Sequence, residues 1–184
     1  MARITTRHDG MNLIIRVARR DEFEALGRLM IEVYSQLRGF PGQEEQPAYY
    51  EMLANIGDFA AKKDAQVLVA VTAEGGLAGG VAYFGDMAEY GSGGIATTVR
   101  NASGLRLLGV SDRYRGQGIG RALTCACIQR ARDRGHSQVV LHTTQPMQIA
   151  WGLYERLGFR RSPDLDFMQG ELPVFGFRLQ LEKT

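Results

Sequence analysis

This chain of 184 residues contains no uninterrupted apolar run of 18 and no charged-then-apolar leader closed by small residues. Neither a membrane span nor a secretory signal is therefore expected, and the cytoplasm is the expected compartment. Charge of one sign is also lacking, since 22 Lys and Arg against 20 Asp and Glu leave a formal +2. That balance gives no electrostatic reason for a nucleic-acid or anionic-membrane partner, which leaves small molecules as the expected ones. Cysteine is scarce as well. Cys125 and Cys127 stand two apart in a segment that reads as helix, where they point to different faces. They lack the spacing of a four-ligand site, so no metal is expected and both are read as structural. No internal repeat or low-complexity tract occurs, so any functional signal has to come from local motifs.

What is present suits an ordinary core. The apolar fraction is 45%, enough for one domain over residues 11–184. Residues 1–10 are polar and aperiodic and end in Asp-Gly, which reads as a flexible N-terminal tail. Residues 13–17 form a short strand-like run, and Asp21 with Glu24 has the spacing of a helix capping box. Phe23, Leu26, Met30, Val33 and Leu37 then recur at helical spacing until Gly39, Pro41 and Gly42 break the pattern. A second helix is predicted over 46–62. Two apolar runs, 67–72 and 77–84, separated by Glu74-Gly75-Gly76, predict a hairpin. Residues 85–103 carry four glycines and few large apolar side chains, the signature of a long loop near a binding site. Beyond it come a strand at 105–110, a helix at 119–134, a strand at 139–143, a helix at 147–157, and strands near Phe159 and over 174–181. Strands alternating with helices imply an α/β domain with a mixed, partly parallel central sheet flanked by helices.

The strongest local signal is the run LRLLGVSDRYRGQGIGRAL from Leu105, a strand passing through a glycine-rich turn into a helix. Glycine at 116, 118 and 120 lets the chain turn tightly, so that successive N–H groups can approach a phosphate at a helix N-terminus. Arg115 and Arg121 bracket the turn with positive charge. Two other phosphate-binding schemes are excluded by residue type. A P-loop needs Lys followed by Ser or Thr after its last glycine, and Arg121-Ala122 stands there instead. A dinucleotide fingerprint needs a glycine or alanine at position 121, which is Arg.

Arg115, Gly118 and Gly120 match the Arg/Gln-x-x-Gly-x-Gly/Ala signature of the GNAT superfamily of N-acetyltransferases, which this sequence resembles. The resemblance extends to the preceding strand, to the strand from Val139, and to Leu153-Tyr154-Glu155-Arg156-Leu157-Gly158-Phe159, which is similar to the family's Leu-Tyr-Glu-Lys-Leu-Gly-Phe ending. It implies a GNAT-type fold and an acetyl-CoA-dependent N-acetyltransferase. The backbone of Leu108, Gly109 and Val110 would pair with the pantetheine arm. Arg115, with the amides of Gly116, Gln117, Gly118, Ile119, Gly120 and Arg121, would hold the pyrophosphate. Tyr154 matches the family's general acid, whose hydroxyl meets the departing CoA sulfur.

Two positions depart from the family pattern. Gly104 stands where many relatives carry a glutamate base, and Met147 where an asparagine is common. A lysine-like amine with pKa about 10.4 is neutral only to about one part in a few thousand at pH 7, so a proton acceptor is needed. Asp86, Glu89 and His142 are the candidate replacements. Trp151 reads as an apolar wall beside the cosubstrate or as core. The acceptor is expected to be a small amine or peptide, with Glu44, Glu45 and Glu51 available to attract a cationic one. The alternative reading is a non-catalytic acyl-CoA-binding module, which the departures at 104 and 147 suggest. The sequence leaves open a homodimer through its C-terminal strands.

Overall fold

A computed structural model describes residues 4–8 and 11–182. One sheet of nine strands runs through them: β1 (Ile4–His8), β2 (Met11–Val17), β3 (Ala65–Thr72), β4 (Leu77–Phe84), β5 (Ala102–Val110), β6 (Gln138–Thr144), β7 (Arg160–Arg161), β8 (Phe167–Gln169) and β9 (Leu172–Gln180). The first six lie in chain order, β9 follows β6, and β7 and β8 both pair with β9. Only β5 and β6 are parallel, as expected for two strands joined by a helical crossover. The mixed sheet flanked by helices is the fold class read from the sequence.

Four α-helices cover the sheet: α1 (Phe23–Ser35), α2 (Pro47–Ala54), α3 (Ile119–Asp133) and α4 (Gln148–Arg156). Helices α1 and α2 bury Leu26, Met30 and Leu53 against one face, with Val67, Val69 and Phe84 beneath them. Helices α3 and α4 bury Ile119, Leu123, Cys127 and Tyr154 against the other, over Leu68, Val81 and Leu141. Each fully buried Leu or Ile contributes roughly 1.5–3 kcal/mol of transfer free energy. Cys127 belongs to this packing, and burial pushes its thiol up to about 12. Neither cysteine is disulfide-bonded.

Several elements differ from their sequence reading. Ile4–His8, read as part of a loose tail, pairs antiparallel with β2 from Ile4↔Ile15 to His8↔Met11. The β-branched run Ile4-Thr5-Thr6 accounts for it. The rest of that tail lies outside the described residues. The cap of the first helix falls two residues earlier than expected: the Glu22 carboxylate accepts the Arg19 N–H at 2.8 Å and Arg16 Nη1 at 2.8 Å. This ion pair holds the Glu22 carboxyl down at about 2. The helix predicted over 46–62 is broken at Asn55 into α2 and a 3-10 turn over Ile56–Ala61. Residues 85–103 are not one open loop. They contain 3-10 turns at Met87–Glu89 and Ala96–Thr98 and bury Met87, Tyr90 and Ala96.

Candidate active site

The site is built on a defect in β5. Gly80 pairs with Gly109 and Ala82 with Arg106, so Val81 opposes both Leu107 and Leu108. This is a β-bulge, and Leu107 takes φ +56° to make it. A leucine in that region stores about 1–3 kcal/mol of strain. The bend turns β5 away from β6: their parallel ladder runs from Ala102↔Gln138 to Leu105↔Leu141 and stops. The β5 edge from Arg106 to Val110 that should face β6 thus has no ladder partner, while His142 to Thr144 remain paired to β9 on their other side.

Just beyond the open edge lies the glycine turn. Gly116 and Gly118 adopt φ +75° and +71°, and Gly118 is the N-cap of α3. The first bond of the helix is Ala122 N–H to the Gly118 carbonyl, and the amides of residues 116–121 find no backbone acceptor among the described residues. Six consecutive free N–H groups at a helix N-terminus form a ready anion cradle. A Cβ on Gly116 would meet nothing within 4 Å, whereas one on Gly120 would touch Leu153 and Val110. Gly116 therefore faces open space, and Gly120 seats the helix against β5. Arg115 is ion-paired with Asp112 at 2.6 Å, and Arg121 is exposed. The Gln117 Oε1 atom is buried without a partner among the described residues. The structure thus brings together Leu108, Gly109, Val110 and residues 115–121, all named from the sequence.

Tyr154 lies on α4 in the same buried cluster as Leu105 and Leu141, the last pair before the strands part. Its ring meets Phe159 edge-on at 5.8 Å. Burial, reinforced by the nearby Tyr90, pushes its hydroxyl well above the ordinary tyrosine range. That group therefore stays protonated and can donate a hydrogen bond. Trp151 is half-buried and packs edge-on against Phe175 and Phe177 at 5.5 and 5.0 Å.

On the opposite face of β5 the splay opens into a pocket that is continuous with solvent. Its walls come from elements far apart in sequence, among them Tyr34, Tyr49, Tyr90, Arg106, His142 and Phe167. Gly104 explains part of this shape. A Cβ there would lie 2.6 Å from Tyr90 Cδ2 and 2.9 Å from Met87 Sδ, so the tyrosine ring fills the space a longer side chain would need.

The Tyr90 hydroxyl lies 3.0 Å from His142 Nδ1, and His142 Nε2 lies 2.8 Å from the Leu165 carbonyl oxygen. A carbonyl only accepts, so Nε2 carries the proton and Nδ1 presents a lone pair to the Tyr90 O–H. Burial first, and then the Arg106 charge, holds the imidazole below its ordinary value of 6.5. His142 is thus neutral at pH 7. Of the three candidate bases, it alone reaches the pocket. Asp86 accepts the Ala88 N–H and pairs with Lys63 at 3.4 Å, and Glu89 pairs with Lys62 at 3.8 Å. Glu44, Glu45 and Glu51 do not line the pocket, whereas Met147 does.

Tyr90, Arg106 and Phe167 were not singled out from the sequence. Tyr90 sits in a segment with no period, Arg106 looks like any strand charge, and Phe167 belongs to a strand of only three residues.

The family model described as Acetyltransferase (GNAT) family matches residues 15–159. A 55-residue segment is 47% identical to N-acetyltransferase 8B of Homo sapiens, covering 30% of this chain and 24% of that protein. A segment of the same length is 46% identical to mycothiol acetyltransferase of Thermobispora bispora, covering 30% and 19%. The chain therefore aligns with only about a quarter, or less, of these curated relatives. Whole-chain likeness appears among solved structures. An N-acetyltransferase from Thermoplasma acidophilum in complex with coenzyme A superposes with TM-score 0.68 at 16% identity, covering 89% of this chain and 97% of that one. A GNAT-family acetyltransferase from Staphylococcus aureus gives TM-score 0.67 at 18% identity, covering 92% and 99%. These likenesses concern the fold, and the family model spans the bulged strand, the glycine turn and Tyr154 together: the chain belongs to the GNAT acetyltransferase family.

Proposed function

We propose that this protein is an acyltransferase that moves an acetyl group from acetyl-CoA to a primary amine. The observation that carries the reading is the run of six unpaired amides at residues 116–121 beside the unladdered edge of β5. A cosubstrate with a pyrophosphate and an amide-bearing arm satisfies both sets of groups at once. Leu108, Gly109 and Val110 would pair with the arm, and residues 116–121 would hold the phosphates. Arg115 and Arg121 add positive charge at the rim.

The neutral His142 takes up, through the Tyr90 hydroxyl, the proton that the acceptor ammonium must lose. The freed nitrogen attacks the thioester carbonyl, the C–S bond breaks and the sulfur leaves as thiolate, and the proton left on the acylated nitrogen then passes to that thiolate, so that CoA departs as the thiol. Tyr154 receives that sulfur. From ordinary values of about 10 for tyrosine and 8.5 for a thiol, full proton transfer is uphill by about 2 kcal/mol, and burial of Tyr154 raises it further. The hydroxyl therefore stabilises the thiolate as a hydrogen-bond donor.

A non-catalytic acyl-CoA-binding module is the second reading, favoured by Gly104 and Met147. Tyr154→Phe separates the two. Turnover should fall at least about tenfold while acetyl-CoA affinity stays within a few-fold, because only the leaving-group contact is removed. Steady-state kinetics with an amine panel and calorimetric titration of acetyl-CoA give the two readouts. Turnover equal to wild type would remove Tyr154 from the chemistry, and no CoA release above the blank with any amine would favour the binding module.

A further inference from the structure

Arg106 is the one charged side chain among the residues that line the acceptor-side pocket, and no carboxylate lines it. Its Nη1 donates to the Tyr90 carbonyl at 2.7 Å, and its Nη2 lies 3.5 Å from Met52 Sδ, a weak acceptor. The guanidinium sits over the Phe59 and Tyr90 rings, 5.8 and 5.5 Å from their centroids, which fixes its plane. Among the described residues no Asp or Glu comes within 4.0 Å of it. A half-buried cation without a counter-ion is costly unless a ligand supplies one. Guanidinium carries five N–H donors, so most remain available to a carboxylate.

A further group in the same pocket awaits a partner. The Thr144 hydroxyl, on the same face of β6 as His142, is buried at 4% exposure and makes no hydrogen bond among the described residues. It can donate to an anion. Beside it, Tyr34, Phe40 and Tyr49 form a box with ring centroids 5.5 to 5.9 Å apart. Such a box suits an apolar or aromatic group. The unpaired cation, the orphaned hydroxyl and the aromatic box thus line one cavity, at the end of β5 where the amine must arrive.

We propose that the acceptor is an α-amino acid with a free carboxylate and an apolar or aromatic side chain, and that Arg106 binds that carboxylate. This rests on the acetyltransferase reading of the same site. It reverses the expectation of a cationic acceptor drawn to Glu44, Glu45 and Glu51, because the pocket itself carries positive charge.

The test is equilibrium binding of acetylated products in the presence of CoA, measured by calorimetry. N-acetyl-L-phenylalanine, N-acetyl-L-leucine and N-acetyl-L-methionine are each compared with their carboxamides. The free acids should bind about 10- to 100-fold more tightly than the amides, as charge-assisted hydrogen bonds require. Arg106→Gln should bring acid and amide to within about twofold, and Arg106→Lys should keep part of the preference. Thermal melting and CoA affinity report whether each variant is folded. Equal binding of acid and amide to the wild type, binding of none of the three acids, or a preference that survives in folded R106Q would each overturn the assignment. Turnover with the three free amino acids separates the two ideas. Acids that bind selectively but are never acetylated would sink the enzyme reading and leave Arg106 as a carboxylate site.

Discussion

The two sides of β5 offer different groups to a ligand. Toward α3 these are backbone: six N–H groups over residues 116–121 and an open strand edge. Toward α1 and α2 they are side chains drawn from separate stretches of sequence. Backbone groups are the same in every residue, so a short run can form the first site provided its glycines allow the turn. The second site has no local signature. It exists only after Tyr34, Tyr49, Tyr90, Arg106, His142 and Phe167 have been brought together by the sheet. On the proposed function, the first side would hold the cosubstrate and the second would select the acceptor.

The sharpest break of that contrast is Gly118→Val. The site needs φ +71° there, which a β-branched residue adopts only under strain. Loss of several charge-assisted contacts should weaken acetyl-CoA binding about 1,000-fold. Calorimetry on the folded variant checks it, and a change under tenfold would mean that side chains rather than backbone hold the cosubstrate. Next in size is Gly104→Glu, which places there the carboxylate that the family resemblance implied. Because Tyr90 and Met87 already occupy that space, it should cost about 3 kcal/mol of stability in denaturant titration and add no turnover. A stable and faster variant would show that the acceptor side is not shaped around the missing side chain.

The smallest effect concerns His142. Its imidazole is neutral at pH 7 and gains a proton only as pH drops below its lowered value. Wild-type kcat/KM should therefore decline on the acid side, below about pH 6.5, the ordinary imidazole value. His142→Gln should lower activity several-fold at pH 7 and remove that limb. The limb set by the acceptor amine itself, at higher pH, should stay. An acid limb unchanged in the variant would assign the proton to another group.

Legibility in the sequence followed the same division. The hairpin around Glu74-Gly75-Gly76, the α3 register and the glycine turn were readable because each is fixed within about ten residues. β8 was missed because three residues show no alternation, and its existence depends on pairing with β9. Residues 85–103 were read as a long loop near a site, and the structure gives that segment two 3-10 turns; Tyr90 could not be found, since its value comes from filling the space over Gly104. Gly104 itself was legible only as an absence. The structure supplies the reason: a ring from a distant turn occupies the vacancy and brings a histidine from β6 with it.

The bulge at Leu107 also bears on how this chain can evolve. Upstream, alternate residues of β5 face opposite sides of the sheet, with Gly104 toward Tyr90 and Leu105 toward α3. Past the bulge the parity is inverted, so that Leu107 and Gly109 face α1 while Leu108 and Val110 face α3. Losing or gaining one residue between Gly104 and Val110 would turn the later positions of the strand over and carry the wrong side chains to both faces. Length variation among descendants of this sequence is thus barred from that stretch and admitted before it, in the segment from Gly85, where an insertion would remodel the acceptor pocket and leave the phosphate cradle in place.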